Sequence, residues 1–298
     1  MNLSEKKILV TGGQGFIGKN LVKKLKSLNA KVNSFDKIDG QDITDEGLIK
    51  KTIKNNYHFI YHLAAFSGNQ ESLKNYNIAF KINTLATIAF FEAIVKFSPH
   101  TKIIISSSRL EYGNPKYLPV DEKHPTQPTS PYGLSKLMAT QMAEIYSKTN
   151  GLHFTVFRTS NVYGQHHSSK FLGYNLINYF IDISKNNGVL KIFGQGKQVR
   201  DYLFIDDLIE AFLLAMSPKS DNQIYNLGYG EGIMLIDMAK LITKTIGCGR
   251  IAKVEWPEDW KSIETGSYVT NLSKIKKELG FSPKVKFDQG IKMTIAPL

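Results

Sequence analysis

The chain has 298 residues, of which 42% are hydrophobic, so it can bury a large core as one large domain or two smaller ones. Its formal net charge of +12 comes mainly from lysines scattered singly or in pairs, without the basic block or arginine-rich arm typical of nucleic-acid binding. No run of about 18 apolar residues predicts a membrane span. The first seven residues lead directly into a strand without a signal-peptide core, and the single Cys248 fits a reducing compartment. We therefore expect a cytoplasmic protein that binds neither nucleic acid nor membrane.

The first predicted element is a short apolar strand, residues 7–11, that runs into a glycine-rich turn and then an amphipathic helix, residues 19–28. Three glycines spaced three apart provide a tight turn, a bare backbone that a pyrophosphate can approach, and close packing of helix on strand. The pattern indicates the phosphate-binding turn of a dinucleotide site. The residues of this turn that we expect to contact the cofactor are Gly12, Gly15, Phe16, Ile17 and Gly18.

A second strand, residues 31–35, ends in Asp36, at the distance from the glycines that a dinucleotide site requires. An acid there accepts hydrogen bonds from ribose hydroxyls and repels a 2′-phosphate, so it favours NAD over NADP, a preference that Lys37 weakens. Asp42 and Ile43 could place a carboxylate and an apolar wall near the adenine. The alternative for Asp42 is a helix cap.

The next two predicted strands also end in small or polar residues. Residues 59–65 form an apolar run that ends in Ala64 and Ala65, which permit close approach of a cofactor, whereas His62 within it is expected to be a core histidine. A helical stretch over 83–97 precedes a strand over 102–105 that ends in three serines. Alternating strands and helices predict a parallel sheet with helices on both faces, and ligands then bind at the carboxyl ends of the strands.

Tyr132 and Lys136 are four residues apart in a predicted helix, which places both side chains on one face. A lysine ammonium beside a phenol favours the phenolate and lowers the pKa of the tyrosine, so Tyr132 could accept a proton near neutral pH. From this spacing alone, a surface pair without function remains the alternative.

In this order, the motifs resemble those of the extended short-chain dehydrogenase/reductase family, and within it the nucleotide-sugar epimerase/dehydratase branch with its UDP-glucose 4-epimerase-like members. The motifs that carry the resemblance are Gly12-x-x-Gly15-x-x-Gly18, Asp36, 62–65, Asn83, 106–108, Tyr112-Gly113, Tyr132-x-x-x-Lys136, 157–164, 192–202, 206–208, 225–228 and 278–283. They span nearly the whole chain.

The resemblance implies an α/β fold: a Rossmann-type doubly wound parallel sheet with a smaller C-terminal α/β substrate domain. The NAD-binding domain would comprise residues 1–165 plus about 199–229, and the nucleotide-sugar domain about 166–198 and 230–298. The family also implies NAD as cofactor and a homodimer built on the helices around 83–97 and 132–146.

By position, the resemblance implies a catalytic trio. Ser108 would hydrogen-bond the reacting sugar hydroxyl, Tyr132 would act as the base, and Lys136 would hold the nicotinamide ribose while lowering the pKa of Tyr132. The further residues expected in the cofactor site are Asp42, Ile43, Leu63, Ala64 and Ala65. The expected substrate contacts are Ser108, Arg109, Asn161, Arg200 and Arg250, with residues 191–193 along the base. We predict no metal site, since His166 and His167 have no further ligand at a suitable spacing.

The residues after Ser108 favour one reaction over others of the branch. Dehydratases carry an acid two or three places before the Tyr-Gly pair, where this chain has Arg109 and Leu110, and Glu111 one place later should point to the opposite face of an extended backbone. Decarboxylases of the family also use a glutamate there, and epimerase-reductases need a cysteine and a histidine that Cys248 does not match. We therefore predict a redox-neutral epimerase, most plausibly at C4 through a transient 4-keto sugar. A net 4-dehydrogenase or 4-keto-reductase is the alternative, and Arg109, where many epimerases have a small residue, keeps it open; a 4,6-dehydratase or a non-catalytic NAD-binding protein is less favoured.

Overall fold

The computed structural model describes residues 2–165 and 175–296. The strands in this part of the chain are β1 (Lys7–Thr11), β2 (Lys31–Phe35), β3 (Phe59–His62), β4 (Lys102–Ser108), β5 (His153–Thr159), β6 (Asn161–Tyr163), β7 (Val189–Phe193), β8 (Val199–Phe204), β9 (Gln223–Leu227), β10 (Gly232–Met234) and β11 (Arg250–Val254). Six of them form one sheet in the order β2-β1-β3-β4-β5-β9, and all neighbours in it are parallel. The predicted α/β fold with a parallel sheet is confirmed.

The α-helices of the described residues are α1 (Phe16–Ser27), α2 (Glu46–Ile53), α3 (Asn69–Lys74), α4 (Tyr76–Phe80), α5 (Ala86–Phe97), α6 (Pro131–Asn150), α7 (Leu176–Lys185), α8 (Ile205–Leu214), α9 (Leu235–Ile246), α10 (Glu258–Ser262), α11 (Ser273–Leu279) and α12 (Phe287–Ile295). Alternate residues of the central strands face opposite helical layers, as the period of a strand requires. In β1, Ile8 and Val10 join the core with α1 and α8, whereas Leu9 joins the core with α2 and α5. Helices therefore cover both faces of the sheet.

The strand order places a crevice between β1 and β3. The chain leaves β1 for β2 on one side and then crosses to β3 on the other, so the loops at the carboxyl ends of β1 and β3 diverge. In open parallel sheets this reversal is where ligands bind. Gly12 follows β1, and Ala64 follows β3, so both lie at this crevice.

The stretch Tyr76–Phe97 joins α4 and α5 through a π-helical turn, Lys81–Leu85. It is the one helical stretch among the described residues that is long and apolar enough to cross a membrane by length and composition. Half of its apolar window is buried inside the protein, and α2 and α6 pack against it. A helix that packs inside a protein buries apolar residues on more than one side, so it can have the length and composition of a membrane-spanning helix.

The second half of the chain adds a smaller α/β unit to the edge of the sheet. Strands β7 and β11 pair in parallel beside α7 and α9, and β8 pairs in parallel with β6 and antiparallel with β10. Buried residues of this unit, such as Phe180 and Leu190, belong to the same apolar core as Ile8 and Val10 of β1. Because the core is continuous, the two parts of the protein are packed against each other along the cleft that separates them.

Candidate active site

A cleft of about 840 Å³ runs along the carboxyl ends of β1, β3 and β4 and continues to the smaller unit. It brings together residues that the sequence predicts for cofactor and substrate. Those that line it are Gly12, Gly15, Phe16, Ile17, Gly18, Asp36, Asp42, Ile43, Leu63, Ala64, Ala65, Ser108, Arg109, Tyr132, Lys136, Asn161 and Arg200. His166 and His167 lie outside the described residues.

The three glycines of the turn after β1 differ in what a side chain would meet. A Cβ on Gly18 would lie 2.0 Å from the carbonyl oxygen of Gly12, and a Cβ on Gly12, whose φ is +69°, would lie 2.8 Å from the backbone nitrogen of Ala64. A Cβ on Gly15 would meet only the Gly12 oxygen, at 3.2 Å. Gly12 and Gly18 therefore permit close packing, whereas Gly15 leaves bare backbone in the cleft at the start of α1, which no side chain caps. This arrangement fits the pyrophosphate of a dinucleotide.

Asp36 lies at the end of β2 and fixes the shape of the turn. Its carboxylate accepts hydrogen bonds from the backbone N–H groups of Gln14 and Ile38, each at 3.0 Å. The same carboxylate lines the cleft, and oxygens with remaining lone pairs suit ribose hydroxyls. Asp42 also lines the cleft but does not cap α2, a role that Asp45 performs. Instead, Asp42 accepts two hydrogen bonds from Thr44 and pairs with Lys37 at 3.2 Å.

The opposite wall of the cofactor side is held by buried polar contacts. The Thr11 hydroxyl accepts hydrogen bonds from the backbone N–H groups of Leu63 and Ala64, at 3.1 and 3.2 Å. His62 is buried between the hydroxyls of Thr11 and Thr87, and burial lowers its pKa to about 3, so it is a neutral core histidine as the sequence predicts. Asn83, in the π-helical turn, bonds both backbone groups of Phe66 and thereby fixes the loop after β3.

Helix α6 delivers Tyr132 and Lys136 to the end of β4. Its first turn is capped by the Ser130 hydroxyl, which accepts from the N–H of Gly133, and Pro131 occupies the first helical position. A Cβ on Gly133 would lie 2.5 Å from the Leu110 carbonyl oxygen, so the glycine allows α6 to lie directly against the turn after Ser108. This contact brings Tyr132 within hydrogen-bonding reach of the Ser108 hydroxyl.

The ionisation of the trio is dominated by burial. Burial raises the pKa of Tyr132 to about 12, although its hydrogen bond to Ser108 acts in the opposite direction. Burial also lowers the pKa of Lys136 to about 8, and its ammonium donates a hydrogen bond to the Ser106 carbonyl at 2.8 Å. Lys136 is not among the groups that shift the pKa of Tyr132, so the lowered pKa that the four-residue spacing predicts is not found in the protein alone.

Glu111 is directed away from the cleft into a fully buried network. It belongs to a 3₁₀ turn, Arg109–Glu111, rather than to the extended backbone that we expected, but its side chain points away from the substrate side all the same. Its carboxylate accepts from Arg158 Nε and Thr140 Oγ1, both at 2.7 Å, and from the Ser107 hydroxyl. Despite burial, the charge of Glu111 raises the pKa of Arg158. The network ties β4, β5 and α6 together directly behind the catalytic residues.

Two of the predicted substrate contacts lie on the far side of the cleft. Asn161 donates its side-chain N–H to the carbonyl of Asp201 at 3.0 Å, and its amide lines the cleft. Arg200 forms an ion pair with Glu264 and donates to the carbonyls of Val199 and Gly266. The carboxylate of the neighbouring Asp201 is not the partner of Arg200, because it accepts backbone N–H groups from the loops around 229 and 270.

The prediction that Arg250 contacts phosphate is not supported by its position. Arg250 is exposed at the amino end of β11 and does not line the cleft. Strand β11 runs parallel to β7, with Arg250 beside Val189 and Val254 beside Phe193, and it is Phe193 that reaches the cleft. Because a strand of five residues spans about 13 Å, the arginine lies at the wrong end of its strand.

Several cleft residues have no role in the sequence prediction. Trp256 and Trp260, the only tryptophans of the chain, surround Phe193 with ring centroids at 5.2 and 5.1 Å. Together with Lys191 they form an aromatic wall in the part of the cleft where residues 191–193 were expected to meet a base. Two tryptophans four residues apart were a signal for a shared site. Glu264 left no such signal, because its partner Arg200 is distant in sequence.

The fold and the cleft define a class of protein. The sheet is doubly wound and parallel, and a glycine turn and a Ser-Tyr-Lys group lie at its carboxyl edge. This combination is typical of enzymes that act on hydroxyl groups with a dinucleotide cofactor. Residues 8–228 match the NAD dependent epimerase/dehydratase family. The chain belongs to this family, and its cofactor is NAD.

Individual relatives have related activities. A putative UDP-glucose 4-epimerase of Methanocaldococcus jannaschii is 33% identical over 97% of this chain and 97% of its own length. A dTDP-4-dehydro-6-deoxyglucose reductase of Escherichia coli is 27% identical over 98% of this chain and 97% of its length. The crystal structure of UDP-glucose 4-epimerase from Thermotoga maritima with UDP-glucose superimposes with a TM-score of 0.89, at 29% identity over 97% of both chains.

Proposed function

We propose that the protein is a nucleotide-sugar epimerase that inverts C4 of a hexose through a transient 4-keto sugar. The observation that carries the proposal is that Ser108, Tyr132 and Lys136 meet in one cleft. Among the described residues that line it, the acids are Asp36 and Asp42 at the cofactor end and Glu264 at the far end, so none lies beside the trio. The trio can oxidise a hydroxyl. The absence of a neighbouring acid favours returning the sugar to the alcohol over eliminating water.

The proton steps are assigned to Tyr132 and Ser108. The two side chains hydrogen-bond each other, so a substrate hydroxyl near both can pass its proton to the phenolic oxygen while Ser108 holds the developing carbonyl oxygen. The same groups can return the proton to the carbonyl oxygen of the keto sugar when the hydride is delivered to the other face of the ring. No additional acid or base is needed, because the two directions are chemically equivalent.

Lys136 is placed to hold the cofactor and to fix the local charge. It is buried at the end of the cofactor side and donates to the Ser106 carbonyl, which leaves further N–H donors for a ribose hydroxyl. When bound, NAD supplies the hydride acceptor that also returns the hydride. Because the pKa of Tyr132 is about 12 in the protein alone, we expect the positive nicotinamide ring to lower it to a useful value.

The environment of Glu111 is the reason for preferring epimerisation over dehydration. Elimination across C5 and C6 needs a group that removes the C5 proton and one that protonates the leaving hydroxyl. Arg109 and Leu110 cannot take part as acids. Glu111 is held between the sheet and α6 by its ion pair with Arg158 and its hydrogen bond from Thr140, and it does not line the cleft. The C5 hydrogen should therefore remain on the sugar throughout.

Residues on the far side of the cleft are suited to anchor the nucleotide diphosphate while the keto sugar turns. Arg200 offers a planar fork of donors for phosphate, and Asn161 lies beside it through Asp201. The diphosphate would compete with Glu264 for Arg200. The aromatic wall around Phe193 offers a stacking surface for the base.

A net reductase is the second candidate, because the Escherichia coli relative named above is a dTDP-4-dehydro-6-deoxyglucose reductase. The same trio would serve it, with a dissociable reduced cofactor bringing the hydride to a 4-keto sugar. In the reverse direction, that of a 4-dehydrogenase, the cofactor would carry the hydride away. The two candidates differ in one respect that can be measured, the balance of NADH.

The test is a panel of nucleotide sugars given to purified protein, with the products separated and NADH followed by absorbance. The epimerase predicts interconversion of C4 epimers without net NADH and, in deuterated water, no deuterium at C5. Tyr132→Phe should reduce turnover by about 10² to 10⁴-fold while NAD stays bound, and Tyr117→Phe on the surface should not. Net NADH with a keto product would favour the dehydrogenase, and deuterium at C5 would indicate a dehydratase.

We also propose a homodimer and the two-part organisation predicted from the sequence. Apolar residues remain exposed on one face of α6, at spacings of four and seven, and on the adjoining stretch of α4 and α5. These residues are Leu134, Met138, Ile145, Tyr76, Ile78 and Leu85. A second copy of the chain placed against this face would cover them. The return of α8 and β9 to the large sheet supports assigning about 199–229 to the NAD-binding part.

A further inference from the structure

Arg109 is a buried guanidinium that has no carboxylate hydrogen-bonded to it among the described residues. It is 8% exposed and lines the cleft directly after Ser108. Its one hydrogen bond in the described part of the chain is from Nη1 to the Thr265 hydroxyl, at 3.0 Å, and the guanidinium carbon lies 5.2 Å from the centroid of the Tyr268 ring. A guanidinium carries five N–H donors, so most of them have no acceptor among residues 2–165 and 175–296.

The other cleft-side and buried arginines are neutralised by the protein itself. Arg158 is paired with Glu111, and Arg200 is paired with Glu264. The charge of Glu264 raises the pKa of Arg109, but burial and the charge of Arg200 each lower this pKa by more. The two guanidiniums therefore share one carboxylate, which leaves the region between Ser108 and Arg200 with an excess positive charge.

An excess charge of this kind is unfavourable unless a ligand completes it. A buried ion without a partner loses its hydration and gains no ion pair in return, which destabilises the folded protein. Burial together with the charge of Arg200 lowers the pKa of Arg109 to about 10, which still leaves it charged at neutral pH. A substrate oxyanion in the cleft would supply the missing partner with charge-assisted hydrogen bonds.

We propose that Arg109 is a specificity-determining residue that binds an oxyanion of the substrate next to the reacting carbon, an inference that rests on the proposed action on a nucleotide sugar. Two substrate groups have this chemistry and can reach a residue adjacent to Ser108. One is the phosphate attached to the sugar, which would give the diphosphate two arginines. The other is a carboxylate at C6, which would make the preferred substrate a nucleotide uronic acid.

The experiment measures equilibrium binding by calorimetry on the purified holoenzyme. Wild-type protein is first titrated with UDP, dTDP, GDP, CDP and ADP, and the base that binds most tightly is used in three arms: the nucleoside diphosphate, its glucose conjugate and its glucuronate conjugate. Each arm is repeated with Arg109→Met, with Arg109→Lys, and with Arg250→Met as the matched control, since it removes the same charge outside the cleft.

We expect Arg109→Met to weaken binding by about 10- to 100-fold in at least one arm, with Arg250→Met within twofold of wild type. A loss in all three arms assigns the sugar-proximal phosphate, and a loss confined to the glucuronate arm assigns the carboxylate. Arg109→Lys should bind at least about threefold tighter than Arg109→Met, because it keeps the charge. The melting temperature of Arg109→Met should not fall, because no carboxylate is hydrogen-bonded to the guanidinium in the described structure.

Three results would overturn the inference. The first is binding by Arg109→Met within twofold of wild type in every arm, which leaves the proposed epimerase intact. The second is equal weakening by Arg109→Lys and Arg109→Met together with a lower melting temperature, which identifies a packing role. The third is a wild-type protein that binds no nucleoside diphosphate or conjugate, which overturns the proposed function as well. Tight, Arg109-dependent binding without turnover would instead support the inference and reject the epimerase.

Discussion

The proposed catalytic trio lies in a buried site, and burial disfavours charge on its two ionisable members, Tyr132 and Lys136. Burial raises the pKa of Tyr132 and lowers that of Lys136, so each neutral form is favoured. The ammonium of Lys136 donates a hydrogen bond to the Ser106 carbonyl. Burial lowers the pKa of Lys136, and the negative charge of Glu111 partly offsets this by raising it. If Tyr132 accepts a proton as proposed, the positive charge of the bound cofactor is needed to lower its pKa towards neutral pH.

Replacement of Lys136 by methionine should stabilise the protein while abolishing turnover. The pKa of about 8 in the folded state lies below the ordinary 10.5, so the folded protein holds the lysine charged only at a free-energy cost. Below pH 8 the whole penalty applies, and between about pH 8 and 10.5 the unfolded chain binds more protons, so wild-type stability gains with pH from this group. At pH 7 we expect Lys136→Met to raise the free energy of unfolding by about 1–3 kcal/mol. The gain should shrink as the pH rises through this window.

The measurement is urea unfolding of wild type and variant at pH 7 and at pH 10, without added cofactor. Lys102→Met is the matched control, because Lys102 is also buried but pairs with Asp221 at 2.6 Å. Its removal leaves a carboxylate without its cation and should destabilise the protein. A Lys136→Met variant that is less stable than wild type at pH 7 would show that the lysine is a structural residue.

At the scale of elements, glycines decide how closely helices approach the ends of strands. Gly18 lets α1 contact the turn after β1, and Gly133 lets α6 contact the turn after β4. In both places the carbonyl oxygen of the turn occupies the space of a Cβ. The two approaches set the glycine turn and the Ser108–Tyr132–Lys136 group at the carboxyl ends of β1 and β4, which are separated in the sheet by β3 alone.

Two glycine substitutions in one turn should separate folding from cofactor binding. Gly15→Ala needs a shift of only a few tenths of an ångström, at a backbone φ of −73° that alanine adopts, so stability should change by less than about 1 kcal/mol. Its methyl group would occupy the cleft, and NAD affinity should fall at least about tenfold. Gly18→Ala places a Cβ 2.0 Å from a backbone oxygen and should lose about 2–4 kcal/mol as well as NAD affinity.

Thermal unfolding and fluorescence titration with NADH measure the two effects. The pair is informative because both glycines belong to one motif and yet have different roles. Equal stability of the two variants would contradict the packing role of Gly18, and unchanged NADH affinity in Gly15→Ala would contradict the pyrophosphate site.

At the scale of the whole molecule, one apolar core joins the sheet to the smaller unit, and a second apolar surface faces outward. The exposed residues on α6 and on the α4–α5 stretch are not explained by packing within one chain. None of these exposed residues lines the cleft, which α6 reaches through Tyr132 and Lys136. A dimer through this face would leave both clefts open.

Charged residues on this face should produce monomers. We expect wild-type protein to sediment as a dimer, and the double variant Leu85→Lys and Ile145→Asp to sediment as a monomer with its fold retained, because both side chains are exposed in the single chain. Met234→Asp, which changes an exposed apolar residue of the smaller unit, is the control and should remain dimeric. Wild type that sediments as a monomer at micromolar concentration would reject the interface.

Local spacing in the sequence was enough to predict the class of fold, the glycine turn after β1, and the placing of Tyr132 and Lys136 on one face of α6. Strand-turn-helix periodicity and glycines three apart place Gly12, Gly15 and Gly18, and a four-residue step places Tyr132 over Lys136. The assignment of His62 to the core followed in the same way from the apolar run around it.

Only the tertiary structure decided how charges are paired, because ion pairs join residues that are distant in sequence. Arg200 pairs with Glu264, and Arg158 pairs with Glu111, whereas no carboxylate in the described part of the chain is hydrogen-bonded to Arg109. Strand direction likewise placed Arg250 at the far end of β11, which no local pattern reveals. Burial, which is a property of the whole fold, reversed the expected shift in the pKa of Tyr132, because loss of hydration outweighs the charge of a lysine that is directed elsewhere.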